Sequence, residues 1–179
     1  MGKIIGLDLS LTSTGVSLCG NTSIISTKSR GAERLHVVSS EIISLCSEHS
    51  VDCVIIEGYS FASRNSQAHS IGELGGAVRM RLWEEGIPFV EIPPTCRAKF
   101  ATGKGNAGKS EVVSSVSAKT GIIFSGAGGD DECDAWLLEQ MAISHLGLSK
   151  YSWSEASMSA LLKVDWAPLE AIRESFDGA

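Results

Sequence analysis

Lys3-Ile-Ile-Gly-Leu-Asp-Leu-Ser-Leu-Thr-Ser-Thr-Gly-Val-Ser-Leu-Cys19 is the stretch from which the fold is read. An apolar run, a tight Ser/Thr/Gly turn and a second run back predict the two strands of a hairpin. Asp8 lies inside the first run. An unpaired carboxylate in a core costs several kcal/mol or gives up its charge, so this acid calls for a cation or donor beside it. The plainer reading is an acid at a strand end, satisfied by water or a backbone amide. In the turn, Ser10, Thr12, Ser13, Thr14 and Gly15 offer small side chains and free amides that a phosphate could approach.

Working outward, Thr22–Lys28 is expected to add a third strand and complete an antiparallel meander. The helical spacing of Leu35, Val38, Ile42, Leu45 and Cys46 predicts a helix from Gly31 to about Ser50. Val51-Asp-Cys-Val-Ile-Ile-Glu57-Gly58 is almost wholly apolar, which marks a strand covered on both faces by helices. Ser60 to Ser70 is polar and reads as a loop. The helix expected from Ser70 to Glu85 carries Gly72, Gly75 and Gly76, each costing roughly 1 kcal/mol of helix propensity, so close packing is their expected purpose. Ile87–Ile92 is a last strand. A short helix (Thr95–Ala101), a glycine loop (Gly103–Gly108), a helix (Lys109–Thr120), a second glycine loop (Ser125–Gly129) and a helix over Asp130–Leu146 follow. The expected fold class is α/β: a central mixed five-stranded sheet, an antiparallel three-strand meander plus two parallel strands, flanked by helices. This domain spans 1–147. Residues 148–179 form a C-terminal extension whose Trp153, Leu161, Leu162, Trp166 and Phe176 cover the core or a partner chain, with a helix over Leu169–Phe176.

A chain of 179 residues is long enough to bury a full core in one domain. No apolar run approaches the ~20 residues of a membrane span, and the N-terminus enters a strand without a signal segment, so a cytoplasmic location is expected. The five cysteines are scattered and never in a C-x-x-C pair, as for reduced buried thiols. The net charge of −6 is unevenly spread. Residues 60–129 carry eight Lys/Arg against five Asp/Glu, a local +3, whereas 130–179 carry three against ten, a local −7. Arg97, Lys99, Lys104 and Lys109 occur with no intervening acid, a basic strip suited to phosphate.

Glu57 ends its strand much as Asp8 does, and neighbouring strands would bring both acids to the carboxyl edge where α/β sheets bind ligands. Asp131 and Asp134, three residues apart, share a helix face that continues through Ala135, Leu138, Met141, Ala142 and His145. Capping explains acids in a first turn, but it explains Asp134 on the inner stripe poorly. Four converging carboxylates repel unless cations neutralise them. Hard divalent ions with oxygen ligands suit them, Mg²⁺ first, with Mn²⁺ as a substitute. Two such ions per site are expected, able to activate water and stabilise the leaving oxygen in phosphodiester cleavage.

The order Ile-Gly-Leu-Asp8, Val-Ile-Ile-Glu57 and Asp131-x-x-Asp134-Ala resembles the RuvC Holliday junction resolvases, whose fold is ribonuclease H-like. The likeness covers roughly residues 3–146 and extends to Gly72, Gly76 and Lys109-Ser110. It departs after the first acid, where the family shows Pro-Gly and this chain Leu9-Ser10. The resemblance implies Asp8, Glu57, Asp131 and Asp134 as metal ligands and catalytic residues. Lys109 would act near the scissile phosphate, and Lys99 matches a second basic position. Tyr59 or Phe61 would stack on a base of the opened junction, with Arg64, Asn65, Arg97, Lys99, Lys104, Lys109 and Ser110 contacting DNA. The implied activity is metal-dependent cutting of four-way or branched DNA to leave 5′-phosphate ends. The implied assembly is a C2 homodimer, with the small-residue helix around Gly72–Val78 as the interface.

Gly103-Lys-Gly-Asn-Ala-Gly108-Lys109-Ser110 also matches the P-loop pattern, which needs a buried strand running into the glycines. Its amides and Lys109 can equally hold a DNA phosphate at a helix N-terminus. Rival readings are a RuvC-like nuclease for flap DNA or precursor ribosomal RNA, an NTP-binding protein, and a non-catalytic DNA-binding module. A sugar-kinase-like ATPase needs a second, duplicated domain.

Overall fold

The computed structural model describes residues 2–59 and 68–176. Strands β1 (Ile4–Asp8), β2 (Ser13–Leu18) and β3 (Asn21–Ser26) form the antiparallel meander. Helix α1 (Gly31–His49), strand β4 (Cys53–Glu57), helix α2 (Ala68–Glu84) and strand β5 (Phe89–Ile92) follow. The sheet order is β3-β2-β1-β4-β5, with β1 parallel to β4 and β4 parallel to β5. Helices α3 (Pro94–Thr102), α4 (Lys109–Thr120) and α5 (Gly129–His145) complete the domain. This is the mixed α/β architecture expected of a ribonuclease H-like fold.

Each face of the sheet has its own apolar core, and strand alternation decides which side chain joins which. Ile5, Leu7, Val54 and Ile56 face α1 and α2 through Val38, Ile42, Leu74 and Val78. Ile4, Cys53, Ile55, Val90 and Ile92 face α3, α4 and α5 through Phe100, Val116, Leu137 and Leu138. Central β4 is apolar at both phases because both faces are covered. Helix α5 is buried nearly all round, from Cys133 to Ala142, rather than along one stripe.

The segment after Leu146 accounts for that burial. Ala160, Leu161, Val164, Trp166, Leu169 and Phe176 join the α5 side of the core. No helix spans Leu169–Phe176: one turn at Ala167–Glu170 (α7, after α6 at Glu155–Met158) gives way to a 3-10 turn at Arg173–Ser175. Pro168 starts the first turn and nothing in so short a stretch sustains it. His145 is half-buried, stacks on Trp166 at 4.5 Å and pairs with Glu170 at 2.6 Å, so it pins this segment to α5. Leu162 points to solvent. Cys46, Cys53, Cys96 and Cys133 are buried free thiols and Cys19 is an exposed one. Burial pushes the Cys46 thiol up to about 11 and those of Cys53 and Cys133 up to about 12.

Candidate active site

Leu7 lies beside Ile56 in the parallel β1–β4 register, so Asp8 and Glu57 leave the sheet at the same carboxyl edge. Asp8 is only 8% exposed, and the charge of Glu57 bears on its carboxyl. Helix α5 brings the third acid, and two glycines let it descend. A Cβ at Gly6 would stand 2.1 Å from the carbonyl oxygen of Ala135, and one at Gly15 would stand 2.1 Å from that of Asp131. With no side chain at either place, the helix backbone rests on β1 and β2, and Asp134 sinks to 2% exposure. The reading of Thr14 and Gly15 as phosphate-facing is therefore corrected. Gly15 lies under α5, and Thr14 is fully buried, its hydroxyl donating to the Ser10 carbonyl at 3.1 Å and accepting from the Ser10 amide at 3.2 Å.

The cation among these acids is Arg97 of α3. Its Nε donates to Glu57 Oε1 at 3.1 Å and its Nη1 donates to Asp134 Oδ1. The basic strip suggested a residue facing DNA; the structure instead turns Arg97 inward and buries it. Lys109, first residue of α4, stays largely exposed and donates to Asp130 at 2.9 Å and to Asp131 at 3.4 Å. The cluster therefore has an inner part, Asp8, Glu57 and Asp134 around Arg97, and a rim, Asp130 and Asp131 under Lys109.

The electrostatics follow this division. Burial, then the Glu57 and Asp134 charges, raise Asp8 well above the usual carboxylate range. Burial pushes Asp134 up to about 6, against the opposing pull of Arg97. At the rim, the hydrogen bond from Lys109 holds Asp130 below its usual value. Burial alone would lower Lys109, but the bond and charge of Asp130, then the charge of Asp131, outweigh it and raise the ammonium.

Among the described residues no three His, Cys, Asp or Glu side chains stand close enough together to hold a metal ion, and the Arg97 guanidinium lies between Glu57 and Asp134. The donors nevertheless fit a hard divalent cation. They are carboxylate oxygens throughout, and Asp8 and Asp134 remain raised although Arg97 is present. Three carboxylates around one guanidinium also leave formal negative charge for a cation to balance.

The other expected contacts are scattered. Tyr59 is exposed, but Arg79 lies 4.5 Å over its ring and donates to its hydroxyl at 3.0 Å, and that hydroxyl donates to the Gly72 carbonyl at 3.1 Å. Lys99 is half-buried, Ser110 is exposed, and Lys104 is exposed and paired with Glu111 at 3.2 Å. Phe61, Arg64 and Asn65 lie outside the described residues. Helix α3, not a strand, precedes the glycines of Gly103–Ser110, so the strand-to-loop context of a nucleotide-binding P-loop is absent there. Glu139, which sequence reasoning passed over, is buried in α5, takes hydrogen bonds from the Ser17 hydroxyl and the Gly20 amide, and is raised by burial. It fastens the β2–β3 hairpin at the far end of the sheet. Gly6 was also passed over. A glycine in a buried strand with no turn to make is itself a signal of close backbone approach.

A family model described as Crossover junction endodeoxyribonuclease RuvC matches residues 4–135. A crossover junction endodeoxyribonuclease RuvC of Sorangium cellulosum is 28% identical over 145 residues, 81% of this chain and 74% of the relative. In fold, T. thermophilus RuvC in complex with Holliday junction substrate superposes with a TM-score of 0.64 at 18% identity, covering 85% of this chain and all of that one. The yeast mitochondrial Holliday junction resolvase superposes with a TM-score of 0.58 at 13% identity, over 97% of this chain and 82% of that one.

Proposed function

We propose that this chain, which belongs to the crossover junction endodeoxyribonuclease RuvC family, resolves four-way DNA junctions by cutting phosphodiester bonds at the acid cluster. Nucleases of this family are metal-dependent. The observation that carries the reading is the convergence of Asp8, Glu57 and Asp134 from β1, β4 and α5 at one sheet edge, with Asp131 and Lys109 at its rim. Asp8, Glu57, Asp131 and Asp134 would hold two Mg²⁺ ions, replaceable by Mn²⁺, which when bound supply Lewis-acid activation of water and of the phosphodiester.

The chain's own groups do the rest. Glu57 and Asp8, fixed at strand ends, keep their oxygens from turning away as a side chain on a loop would. Lys109 reaches a backbone phosphate from the first turn of α4, where exposed backbone amides also favour an anion; meeting DNA exchanges its Asp130 contact for a phosphate. Tyr59, which is exposed, or Phe61 would stack on an unpaired base. The product ends are 5′-phosphate and 3′-hydroxyl. Two-fold symmetric junctions call for a C2 homodimer. The apolar part of α2 suits it: Gly72, Gly76, Met80 and Trp83 fall on one stripe, with Met80 and Trp83 exposed and open space over Gly76.

A cleavage panel with Mg²⁺ tests the proposal: four-way junction, flap, linear duplex, single strand and structured RNA at equal concentration. Paired symmetric nicks in the four-way junction, with the other substrates cut at least about tenfold more slowly, are expected. Preference for flap or RNA would assign the same site to another substrate.

A further inference from the structure

Arg97 stands inside the acid cluster, yet the cleavage reading gives it no part. Its guanidinium lies below the surface and spends two of its N–H groups on Glu57 and Asp134, both of which the proposed function makes cation ligands. A carboxylate oxygen that holds a guanidinium does not at the same time coordinate a hard cation through the same lone pair. Two positive centres a few ångströms apart in a buried site also repel strongly. We propose that Arg97 is the resident counter-cation of the acid cluster and competes with divalent ions for Glu57 and Asp134, so that it sets how much divalent cation the enzyme needs. This rests on the acid cluster being the cation site, as proposed above.

The geometry explains both halves of the competition. Without a bound ion, Arg97 holds together acids that would otherwise repel, and its N–H groups satisfy oxygens that water reaches poorly. When an ion enters, the guanidinium gives up those oxygens by turning about its own side-chain torsions, while α3 stays packed through Cys96, Ala98, Phe100 and Ala101. The coupling is reciprocal: whatever Arg97 adds to the ion-free protein it subtracts from ion affinity.

The test is Mn²⁺ binding to the DNA-free protein, by calorimetry and by electron paramagnetic resonance of unbound Mn²⁺. Wild type, Arg97→Met, Arg97→Gln and Asp134→Asn are compared. Arg97→Met is expected to bind Mn²⁺ at least about tenfold more tightly than wild type, from the removed charge, and to melt lower than wild type in chelator. Mn²⁺ should raise its Tm by more than it raises that of wild type. Arg97→Gln carries the same comparison with a polar side chain should the Met variant fail to fold. A folded variant with equal or weaker Mn²⁺ affinity overturns the competition while the Asp134-dependent binding of wild type stands. Mn²⁺ binding that is absent from wild type, or unchanged in Asp134→Asn, overturns the cation site itself and the competition with it.

Discussion

Asp8 and Asp134 are the site acids that burial isolates most, and at this scale a single atom decides function. Asn keeps the shape of each and removes the charge. Asp8→Asn or Asp134→Asn is expected to cut cleavage by about a hundredfold or more, while four-way junction binding in a gel-shift assay changes little. Asp134 also gives a pH signature. Its folded value of about 6 exceeds its usual 3.8, so between the two the folded state binds more protons than the unfolded state. Asp8, raised as well, pulls the same way, and the contribution of Asp134 itself to the stability of the ion-free protein falls as pH rises through that window. The size is on the order of 3 kcal/mol, read from urea unfolding in chelator between pH 4 and pH 7 (roughly the limits set by those values).

At the scale of elements, α5 reaches the sheet only because β1 and β2 each present a glycine beneath it. Gly6→Ala puts a methyl group against the Ala135 carbonyl. That lifts the helix, at about 2–4 kcal/mol by analogy with overpacked cores, and carries Asp134 away from Asp8. Urea unfolding and cleavage should fall together. The meander, the two parallel strands and the helices were legible in the sequence, mostly to within two residues, because period-2 and 3.6-residue patterns are local. Asp8 and Glu57 were legible as partners because both close apolar strands that neighbour each other. Arg97 was not. On a helix of nine residues with little amphipathic contrast, a charge shows its sign but not the side it faces. Gly6 and Gly15 hid for another reason: their contacts lie about 120 residues away in the chain. The aromatics after Leu146 were expected to cover the core or a partner chain; Trp166 and Phe176 are buried on the α5 side of the core, but the single turns of this segment lack the length that makes a helix legible.

At the scale of the whole molecule, α2 carries an exposed apolar stripe among the described residues. Trp83 is 77% exposed, beside Met80 and above the open space at Gly76, and a second copy across a two-fold axis would cover it. If the proposed two-fold dimer forms on this stripe, Trp83→Glu is expected to leave the fold intact and shift the protein to monomer in sedimentation, because like charges then face each other across the axis. Paired nicking of a four-way junction should become single nicking. The order in which the acids of the proposed site occur along the chain matters during synthesis. A polypeptide that has emerged only as far as the glycine loop before α5 carries Asp8 and Glu57 but neither Asp131 nor Asp134. On the proposed site, a product terminated there would lack half of the acids, and it is expected not to cut DNA, because the centre is complete only once the last long helix has closed over the sheet.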